Sequence, residues 1–342
     1  MKILLLAGGN SSEREVSLAT GRAVYDSLKR QQHTVFAIDP LTGKSLISRD
    51  GKFLAAPRDD SSRTAVPVKS ETRALINAIS SPGFRDIDVV FVALHGGTGE
   101  NGSCQCLLEM AGQRFTGAGM TASAIAMNKA VAKRLFQSVD IPTPDWALYR
   151  LADREVDTPL LDEIAARFDC PFIVKPNDSG STVGLTKVNT IDELKPAIAR
   201  ALDESDDVLV EKYIRGREMT VAVLDGEALP VVEIIPASGL YDYEAKYTKG
   251  KCEYVTPAPI DSELAGRLSE AALRAYDVIG AAGLARVDFI LDENENFYCL
   301  ELNTLPGMTE LSLSPMAAAA AGIGFDQLVD RIVKSAVKGR QR

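Results

Sequence analysis

The chain has 342 residues, a length that exceeds a usual single domain and predicts two or three domains sharing a cleft. Its composition, 46% hydrophobic and 25% charged, is that of an ordinary globular protein. A net charge of −9 argues against a general nucleic-acid-binding protein, whose phosphate contacts need a basic surface, so we expect no nucleic-acid partner.

The amino terminus, MKILLLAGG, is a short apolar run that ends at two glycines. It is too short for a secretory signal or a membrane span, so it predicts a buried strand and no membrane association. The five cysteines are scattered without a CxxC pair, which is typical of reduced residues in a cytoplasmic protein. Because His33 and His95 are the two histidines, we expect catalysis by lysine, arginine, carboxylates and metal.

The first third of the chain alternates strands and helices. Residues 3–6 and 34–38 predict strands, and the segment between them predicts a helix that starts with a capping box at Ser12 and Glu15. This strand–helix–strand pattern indicates a parallel α/β sheet. A further apolar strand is predicted at 89–94 and ends at a glycine-rich loop.

Two glycine-rich loops follow these strands. Gly8-Gly9 leads to Glu13, which could pair with the ammonium group of a substrate, although a glutamate at a helix start more often serves the helix dipole. His95 opens the second loop, at the carboxyl end of a strand, where α/β proteins bind ligands. A purely structural role stays open for both loops.

A second region, from Thr116, contains a predicted helix at 122–139 and predicted strands at 172–174 and 185–188. Between these strands lies Lys175, followed by PNDSGSTVG. Glycines there would let backbone amides approach phosphate oxygens, and Lys175 would supply a positive charge. The order differs from a Walker A loop, and a hairpin with an exposed lysine is the alternative.

The last region predicts longer strands and one long amphipathic helix at 262–279. The predicted strands lie at 208–211, 219–224, 229–235, 285–291 and 297–301. An Asp-Gly pair between the second and third of these strands predicts a hairpin turn.

The last two strands carry a polar pattern. Alternation places Arg286 and Asp288 on one face of the first strand, and Glu301 and Asn303 on one face of the second. A hairpin would bring Asp288, Glu301 and Asn303 around a hard cation, and oxygen ligands suit Mg²⁺. The alternative is an exposed strand face. Apolar neighbours favour the metal site, because buried carboxylates without cations are costly.

Two loops complete the set of candidate segments. After Asn303, the Gly307 amide could donate to a developing oxyanion, and Ser312 with the helix behind it could bind a carboxylate. Residues 241–247, YDYEAKY, have the charges and aromatics that a lid over phosphates needs, with Lys246 able to reach a γ-phosphate. A plain loop is the alternative in both cases.

Seven segments together resemble the D-alanine–D-alanine ligases of the ATP-grasp superfamily. They cover essentially the whole chain in the family's order: GGNSSEREVSL, ALHGGTGENG, TASAIAMNK, VKPNDSGSTVG, YDYEAKY, RVDF and ELNTLPGMTELSLSP. The resemblance implies an α/β protein (with α+β elements) of three-domain ATP-grasp architecture. Its parts would be an N-terminal parallel α/β domain at 1–116, a central domain at 117–211, and a C-terminal domain with the metal and substrate sites at 212–342.

The resemblance also implies the reaction. ATP would phosphorylate the carboxylate of one D-alanine, and the amine of a second D-alanine would attack the resulting acylphosphate, giving a dipeptide for peptidoglycan precursor synthesis. Two Mg²⁺ ions, for which Mn²⁺ could substitute, would stabilise the charge that develops. A cytoplasmic homodimer that binds D-alanine and ATP is implied as well.

Carried onto this sequence, the resemblance implies a role for each group of residues. Phosphates would contact Lys129, Lys175, Lys246, Ser181 and Thr182. Adenine and ribose would contact Glu211, Lys212, the backbone of Ile214 and Glu218. Magnesium would bind Asp288, Glu301 and Asn303, and the oxyanion would bind Arg286 and the Gly307 amide. Glu13 and His95 would contact the first D-alanine, Ser312 and the Leu313 amide the second. Glu13, Ser181 and Tyr247 would form a hydrogen-bonded trio that closes loop and lid.

The sequence departs from the family's usual residues at four positions. These are Asn101, Cys106, Asn128 and Ser179, where the family usually has Asp, Gly, Asp and Glu. The departures leave every proposed metal ligand and phosphate-binding lysine in place. They therefore bear on affinity and loop closure, and not on the reaction class.

Three other functions remain as alternatives. A ligase of the same fold could take D-lactate or D-serine as its second substrate, although Tyr247 favours the dipeptide-forming enzyme because depsipeptide-forming relatives tend to differ at this lid position. A nucleotide-binding regulatory protein would be expected to lack a metal ligand or Arg286, and all four residues are present. A nicotinamide dehydrogenase would explain the N-terminal pattern alone.

Overall fold

The computed structural model describes residues 1–54, 72–73, 75–77, 84, 86–151, 156–237 and 250–339. In these ranges the strands form three separate sheets, one N-terminal, one central and one C-terminal. None of the helices in the same ranges is both long enough and apolar enough to span a membrane.

The N-terminal sheet has the order β3-β2-β1-β4. Its strands are β1 (Lys2–Leu6), β2 (Thr34–Asp39), β3 (Lys44–Ser45) and β4 (Val89–Val92), with helix α1 (Arg14–Arg30) between the first two. β1 pairs in parallel with both β2 and β4, which confirms the predicted parallel α/β sheet. Both faces of β1 are buried in apolar clusters, and this explains why the strand is apolar throughout.

Helix α1 differs from its prediction in its first turn. The predicted capping box at Ser12 and Glu15 is wrong, because the N-cap position is Glu13. The carboxylate of Glu13 accepts a hydrogen bond from the hydroxyl of Ser181. The helix therefore starts at an acid, Glu13, that is held by the distant loop of Ser181.

Four helices connect the N-terminal sheet to the central sheet. They are α2 (Gly97–Glu100), α3 (Ser103–Met110), α4 (Met120–Met127) and α5 (Lys129–Ser138). The single helix predicted at 122–139 is wrong, since the helix is interrupted at Asn128. The side chain of Asn128 caps α5 by accepting a hydrogen bond from the Val131 amide at 3.1 Å. Apolar residues of α4 and α5 pack in one cluster with the C-terminal sheet.

The central sheet is antiparallel and has the order β5-β8-β6-β7. Its strands are β5 (Trp146–Arg150), β6 (Phe172–Pro176), β7 (Thr186–Val188) and β8 (Asp207–Lys212). Helices α6 (Thr158–Arg167) and α7 (Leu194–Leu202), the latter after a 3-10 turn at Ile191–Glu193, cover one face. The other face is left for the functional cavity.

The C-terminal sheet has six strands in the order β12-β11-β9-β13-β14, with β10 paired to β9. The strands are β9 (Arg217–Leu224), β10 (Glu227–Ala228), β11 (Val232–Pro236), β12 (Cys252–Val255), β13 (Leu284–Leu291) and β14 (Phe297–Asn303). Asp225 and Gly226 both have positive φ, which confirms the predicted hairpin turn. The strand predicted at 229–235 is observed as β11, which starts only at Val232, and residues 229–231 connect it to β10.

Three helices flank the C-terminal sheet. Helix α8 (Ser262–Ile279) has the predicted bounds and covers one face. Helices α9 (Leu313–Ala320) and α10 (Phe325–Lys338) pack in the same apolar cluster as α1 and the N-terminal sheet. The two ends of the chain therefore share one core, and the central sheet has its own.

Candidate active site

Two cavities meet in the middle of the molecule, and Gly180 and Glu301 line both. The inter-sheet cavity, between the central and C-terminal sheets, has an empty volume of about 1150 Å³ including its open mouth. The loop cavity, between α1, the loop after β4 and the loop after β14, has an empty volume of about 1940 Å³ by the same measure. A molecule that reaches from one to the other would pass Glu301.

Every predicted site residue in the described part of the chain lines one of these cavities. The inter-sheet cavity is lined by Lys129, Lys175, Thr182, Glu211, Lys212, Ile214, Glu218, Asp288 and Glu301. The loop cavity is lined by Glu13, His95, Ser181, Arg286, Glu301, Asn303, Gly307, Ser312 and Leu313. Lys246 and Tyr247, with the rest of the predicted lid, lie outside the described residues.

The alternation of strand β6 places Lys175 in the inter-sheet cavity. Phe172 and Val174 pack in the core under the helices of the central sheet, while Ile173 and Lys175 line the cavity on the other face. The Lys175 ammonium lies 2.7 Å from Oε2 of Glu211, which projects from the neighbouring strand β8. Strands β6 and β7 do form a hairpin, but the alternative of an exposed lysine is wrong, because Lys175 is only 7% exposed.

Glu211 is a buried acid with two lysine partners. Its Oε1 lies 2.8 Å from the ammonium of Lys133, and its Oε2 is the partner of Lys175. Burial alone would raise the pKa of Glu211, but the two ammonium groups more than offset it and hold the pKa below its ordinary value. Glu211 is therefore an ionised acceptor at the wall of the cavity.

Lys129, at the start of α5, contacts both the glycine-rich loop between β6 and β7 and the carboxylate of Glu301. Its ammonium donates to the carbonyl of Ser179 at 2.6 Å and lies 3.4 Å from Oε2 of Glu301. The backbone of the same helix start is held by Asn177, whose Oδ1 accepts from the Ala130 amide at 2.9 Å. A lysine held next to Glu301 is well placed to contact an anion at the meeting point of the cavities.

The loop between β6 and β7 has an unusual backbone. Ser181 and Thr182 are consecutive non-glycine residues with φ of 49° and 58°, in the left-handed region. Such conformations persist where the surroundings impose them, and they concentrate at ligand-binding sites. Here the hydroxyl of Ser181 donates to the carboxylate of Glu13, so this contact joins the central loop to α1.

The pairing of β13 with β14 brings the predicted metal ligands together. Asp288 is opposite Glu301 and Arg286 is opposite Asn303 in the register, with a bulge just after Asp288. Asn303 Nδ2 donates to Asp288 Oδ2 at 3.1 Å, so these side chains point toward each other. The Thr220 hydroxyl on β9 donates to Asp288 Oδ1 at 2.6 Å.

The side chains of this group carry oxygen atoms of the kind that a magnesium ion binds. Positive charge already lies against both acids, because the Arg286 guanidinium contacts both oxygens of Asp288 at 2.8 Å and Lys129 contacts Glu301. Within the described residues, no group of three or more His, Cys, Asp and Glu side chains could hold a metal ion. Two carboxylates and one amide oxygen suit Mg²⁺, which takes its other ligands from phosphate and water.

His95 belongs to a buried polar network at the floor of the loop cavity. Its Nε2 lies 3.0 Å from the Thr20 hydroxyl, and its Nδ1 lies 3.7 Å from Oε1 of Glu100. The Met308 amide donates to the same Thr20 hydroxyl at 3.4 Å. This network links α1 to the loop that carries Gly307.

Ser312 lies at the N-cap of α9, opposite Gly307. Its Oγ accepts from the Thr309 amide at 3.1 Å and lies 2.8 Å from the Thr309 hydroxyl. A Cβ on Gly307 would lie 3.0 Å from this Oγ, so the absence of a side chain keeps the hydroxyl in place. The start of α9 thereby presents a hydroxyl and backbone amides to the loop cavity.

The four departures from the family pattern have local structural roles. Asn128 caps α5, and the Oδ1 of Asn101 accepts from the Ser103 amide at 3.0 Å. Ser179 takes part through its backbone carbonyl, which any residue would supply. The Sγ of Cys106 lies 4.0 Å from the Sδ of Met110 on the same helix, away from both cavities.

Sequence reasoning missed several residues that the structure places at the site. Lys133 follows Lys129 by one helical turn, and this spacing could have indicated that it faces the same way. Thr220 could not have been found, because its contact depends on which strand lies beside it, and Asn177 stood in the predicted loop without a role assigned to it.

Two protein-family models match the chain. The model described as D-ala D-ala ligase N-terminus matches residues 2–118, and the model described as D-ala D-ala ligase C-terminus matches residues 135–334. The curated D-alanine–D-alanine ligase of Syntrophotalea carbinolica is 41% identical over 335 residues, which are 98% of this chain and 96% of that protein. The curated D-alanine–D-alanine ligase of Magnetococcus marinus is 41% identical over 336 residues, which are 98% of this chain and 97% of that protein.

Solved structures with the same arrangement include two ligases. A crystal structure of D-alanine–D-alanine ligase from Bacillus anthracis complexed with ATP matches with a TM-score of 0.75 at 29% identity, over 99% of this chain and 97% of that one. The VanG D-Ala:D-Ser ligase from Enterococcus faecalis matches with a TM-score of 0.77 at 29% identity, over 98% of this chain and 99% of that one.

Proposed function

Because the chain belongs to the D-alanine–D-alanine ligase family, we propose that its function is the ATP-dependent joining of two D-alanine molecules. Its fold is the ATP-grasp fold of these enzymes. The observation that carries the proposal is the meeting of two cavities at Glu301, one lined by lysines and acids and the other by Glu13, Arg286 and Ser312. The dipeptide product would serve peptidoglycan synthesis and thus cell-wall biogenesis.

ATP is proposed to occupy the inter-sheet cavity. Lys129 and Lys175 would contact its phosphates, together with Ser181 and Thr182 of the loop between β6 and β7 and, from the lid, Lys246. The base and ribose would lie among Glu211, Lys212, the Ile214 backbone and Glu218. The support is that the described members of this set line one cavity between two sheets, except for Ser181, which lines the adjoining loop cavity.

Magnesium is proposed to bind Asp288, Glu301 and Asn303, as two ions for which manganese could substitute. When bound, the ions would neutralise phosphate charge and stabilise the charge that develops during phosphoryl transfer. The convergence of these oxygen ligands across the β13–β14 pair supports the assignment. Arg286 and Lys129, which lie against the acids in the structure, would then contact reacting groups or phosphate.

The loop cavity is proposed to bind the two amino acids. Glu13 would receive the ammonium of the first D-alanine near His95, and a carboxylate oxygen of that D-alanine would attack the γ-phosphorus of ATP, releasing ADP. The amine of the second D-alanine, held at its carboxylate by Ser312 and the Leu313 amide, would attack the acylphosphate carbon and expel phosphate. Arg286 and the Gly307 amide would stabilise the tetrahedral oxyanion between these events.

Closure of the site is proposed to depend on a trio of Glu13, Ser181 and Tyr247. The contact between Ser181 and Glu13 is present in the structure, and Tyr247 would extend it to the lid. A closed lid would exclude water, which would otherwise hydrolyse the acylphosphate.

A second candidate differs in the second substrate. The similarity to the VanG D-Ala:D-Ser ligase favours a test of D-serine, and the family context also calls for D-lactate. Both candidates share the phosphorylation of the first D-alanine, and they differ in which second substrate binds beside Ser312.

One assay tests both candidates. Purified protein is incubated with Mg²⁺ and ATP, together with D-alanine, L-alanine, D-alanine plus D-serine, or D-alanine plus D-lactate, and ADP, phosphate and the joined product are measured. We expect one ADP and one phosphate for each D-alanyl-D-alanine, and no product from L-alanine. A lack of ATP-dependent dipeptide from D-alanine would contradict the proposed function. A mixed product formed in preference to the dipeptide would support the second candidate.

Location, assembly and domain limits are proposed on separate grounds. Cytoplasmic location is supported by the use of ATP and by five cysteines that are all free. Domain limits at 116/117 and 211/212 agree with three separate sheets, although β8 extends to Lys212. Sedimentation of the purified protein would test the proposed homodimer.

A further inference from the structure

Lys133 is a completely buried lysine that the proposed mechanism leaves without a role. Its exposed fraction is 0%, and its ammonium lies 2.8 Å from Oε1 of Glu211. The same ammonium donates to the hydroxyl of Thr143 at 2.5 Å, and this hydroxyl donates to the carbonyl of Cys299 on β14 at 2.8 Å. Lys133 therefore joins α5, β8 and the C-terminal sheet at one point behind the inter-sheet cavity.

The spacing of two lysines on α5 places each of them against a different carboxylate of the cavity. Lys129 and Lys133 are four residues apart, so they project from the same side of the helix, about one turn apart. Lys129 lies against Glu301, at the end where the cavities meet. Lys133 lies against Glu211, on the central sheet. One helix thus contacts two carboxylates that line the inter-sheet cavity.

Two lysines balance the charge of Glu211, and Lys133 is the one that can stay when Lys175 binds a phosphate. Burial lowers the pKa of Lys133 and the carboxylate of Glu211 opposes this effect, while the pKa of Glu211 lies below its ordinary value. If Lys175 turned from Glu211 to a phosphate, a carboxylate that is only 3% exposed would be left without a counter-ion unless Lys133 remained. Among the described residues, the other acceptor of Lys133 is the Thr143 hydroxyl, so Lys133 would stay.

We propose that Lys133 is a positioning residue for the nucleotide, which holds Glu211 as an ionised acceptor in the wall of the inter-sheet cavity and lets Lys175 leave Glu211 for a phosphate. The inference rests on the proposed binding of ATP in this cavity. An ionised carboxylate accepts hydrogen bonds and cannot donate them, so it favours a base with an amino group over one with a carbonyl at the same position. ATP should therefore bind better than ITP, and the preference should depend on Lys133.

The test is the affinity of the full chain for ATP and for ITP, measured by calorimetry with Mg²⁺ and without amino acids. In Lys133→Met we expect ATP binding to weaken about tenfold and ITP binding to change by less than about threefold, because one charged acceptor contact is lost. The ratio of the two affinities is a readout that a merely structural role would not move.

Two further variants separate positioning from folding. Ile164→Ala opens the core under the central sheet, away from the cavity, and should lower the midpoint of thermal unfolding while keeping the unmodified ratio of affinities. Thr143→Val keeps Lys133 but removes one of its acceptors, and should lower the ratio in the same direction by a smaller factor. If Lys133→Met does not fold, Thr143→Val decides.

The inference would be overturned if the ratio of ATP affinity to ITP affinity in Lys133→Met equalled that of the unmodified chain. Where Thr143→Val decides, the same result in that variant would overturn it. Because the affinities are measured without turnover, such a result is distinct from failure of the proposed ligation. That failure would appear as an unmodified chain that makes no dipeptide.

Discussion

Asp288 is the residue on which most of the contacts at the proposed metal site converge. Its carboxylate accepts from Thr220, Arg286 and Asn303. Asp288→Asn keeps the size of the side chain and an acceptor for Thr220, but it removes the charge that would hold magnesium and orient Arg286. We expect dipeptide synthesis to fall by a factor on the order of 10³, with the folded structure retained. Turnover at several Mg²⁺ concentrations, with circular dichroism, measures both.

The control for this change is Asp292→Asn, in the turn of the same hairpin. Asp292 accepts from the amides of Asn294 and Asn296, outside both cavities. The control should keep its turnover. Unchanged turnover in Asp288→Asn would contradict the metal assignment, and an equal loss in both variants would point to the hairpin's stability instead.

Gly307 offers a second test at the scale of one residue. In Gly307→Ala the new Cβ would lie 3.0 Å from Oγ of Ser312 and would push that hydroxyl from its contact with Thr309. We expect KM for the second D-alanine to rise about tenfold, while KM for ATP stays unchanged, because the displacement affects one subsite. Initial rates over a range of D-alanine and ATP concentrations measure the two values. In Gly324→Ala the new Cβ would have its nearest contact at 4.0 Å, so this control should keep both values.

At the residue scale, strand alternation allowed a prediction of which side chains of a strand line the cavity. Lys175 and Asp288 line the cavity because their neighbours at odd spacing belong in the core, and this can be inferred from the order of apolar and polar residues. The partners of these residues could not be inferred. Thr220 reaches Asp288 from strand β9 and Glu211 reaches Lys175 from strand β8, and pairing across elements leaves no periodic signal.

Elements with clear end signals were predicted with correct bounds. Helix α8 starts after Asp261, whose side chain accepts from the Leu264 amide at 2.7 Å, and it ends at Gly280 in a left-handed conformation. The helix predicted at 122–139 failed because Asn128 is a start signal inside an apolar run, and the periodicity continues on both sides of it. Local capping decides such cases over periodicity.

Alanine substitutions at two glycines should change the free energy of unfolding in opposite directions. Gly266 lies inside α8, and a Cβ there would meet open space, so Gly266→Ala should raise the free energy of unfolding by about 0.5–1 kcal/mol. Gly216 lies just before β9, and a Cβ there would lie 2.2 Å from the carbonyl oxygen of Leu291. Gly216→Ala should lower the same free energy by about 1–3 kcal/mol. Urea unfolding of both variants measures these values, and changes of the same sign would contradict the packing argument.

At the scale of the whole molecule, the sharing of one core by both ends of the chain could not be predicted. The sequence indicated a parallel N-terminal sheet and an antiparallel C-terminal pattern, but nothing in either indicated that α9 and α10 pack with α1. That packing brings the loop with Gly307 and Ser312 to the helix that starts at Glu13. The loop cavity is therefore a product of tertiary contacts between segments about 300 residues apart.

The ion pair between Arg30 and Asp326 is a polar link across this junction, joining residues 296 positions apart. Arg30 contacts both carboxylate oxygens, at 2.9 and 2.6 Å. Asp326→Asn should lower the free energy of unfolding at pH 7 by about 1 kcal/mol or less, because the pair is largely exposed. Asp330→Asn, on the same helix, is the matched control, since Asp330 pairs with Lys334 within α10.

This contribution should depend on pH in a defined direction. The hydrogen bond from Arg30 holds the pKa of Asp326 below its ordinary value of 3.8. A carboxyl whose folded pKa is lowered stabilises the protein above its ordinary pKa, and the stabilisation is lost as the pH falls through the folded value. The difference between the unmodified chain and Asp326→Asn should thus be constant near neutral pH and shrink below about pH 4. Urea unfolding from pH 7 to pH 3 measures it, and a difference that grows as the pH falls would show that the link between α1 and α10 does not depend on this charge.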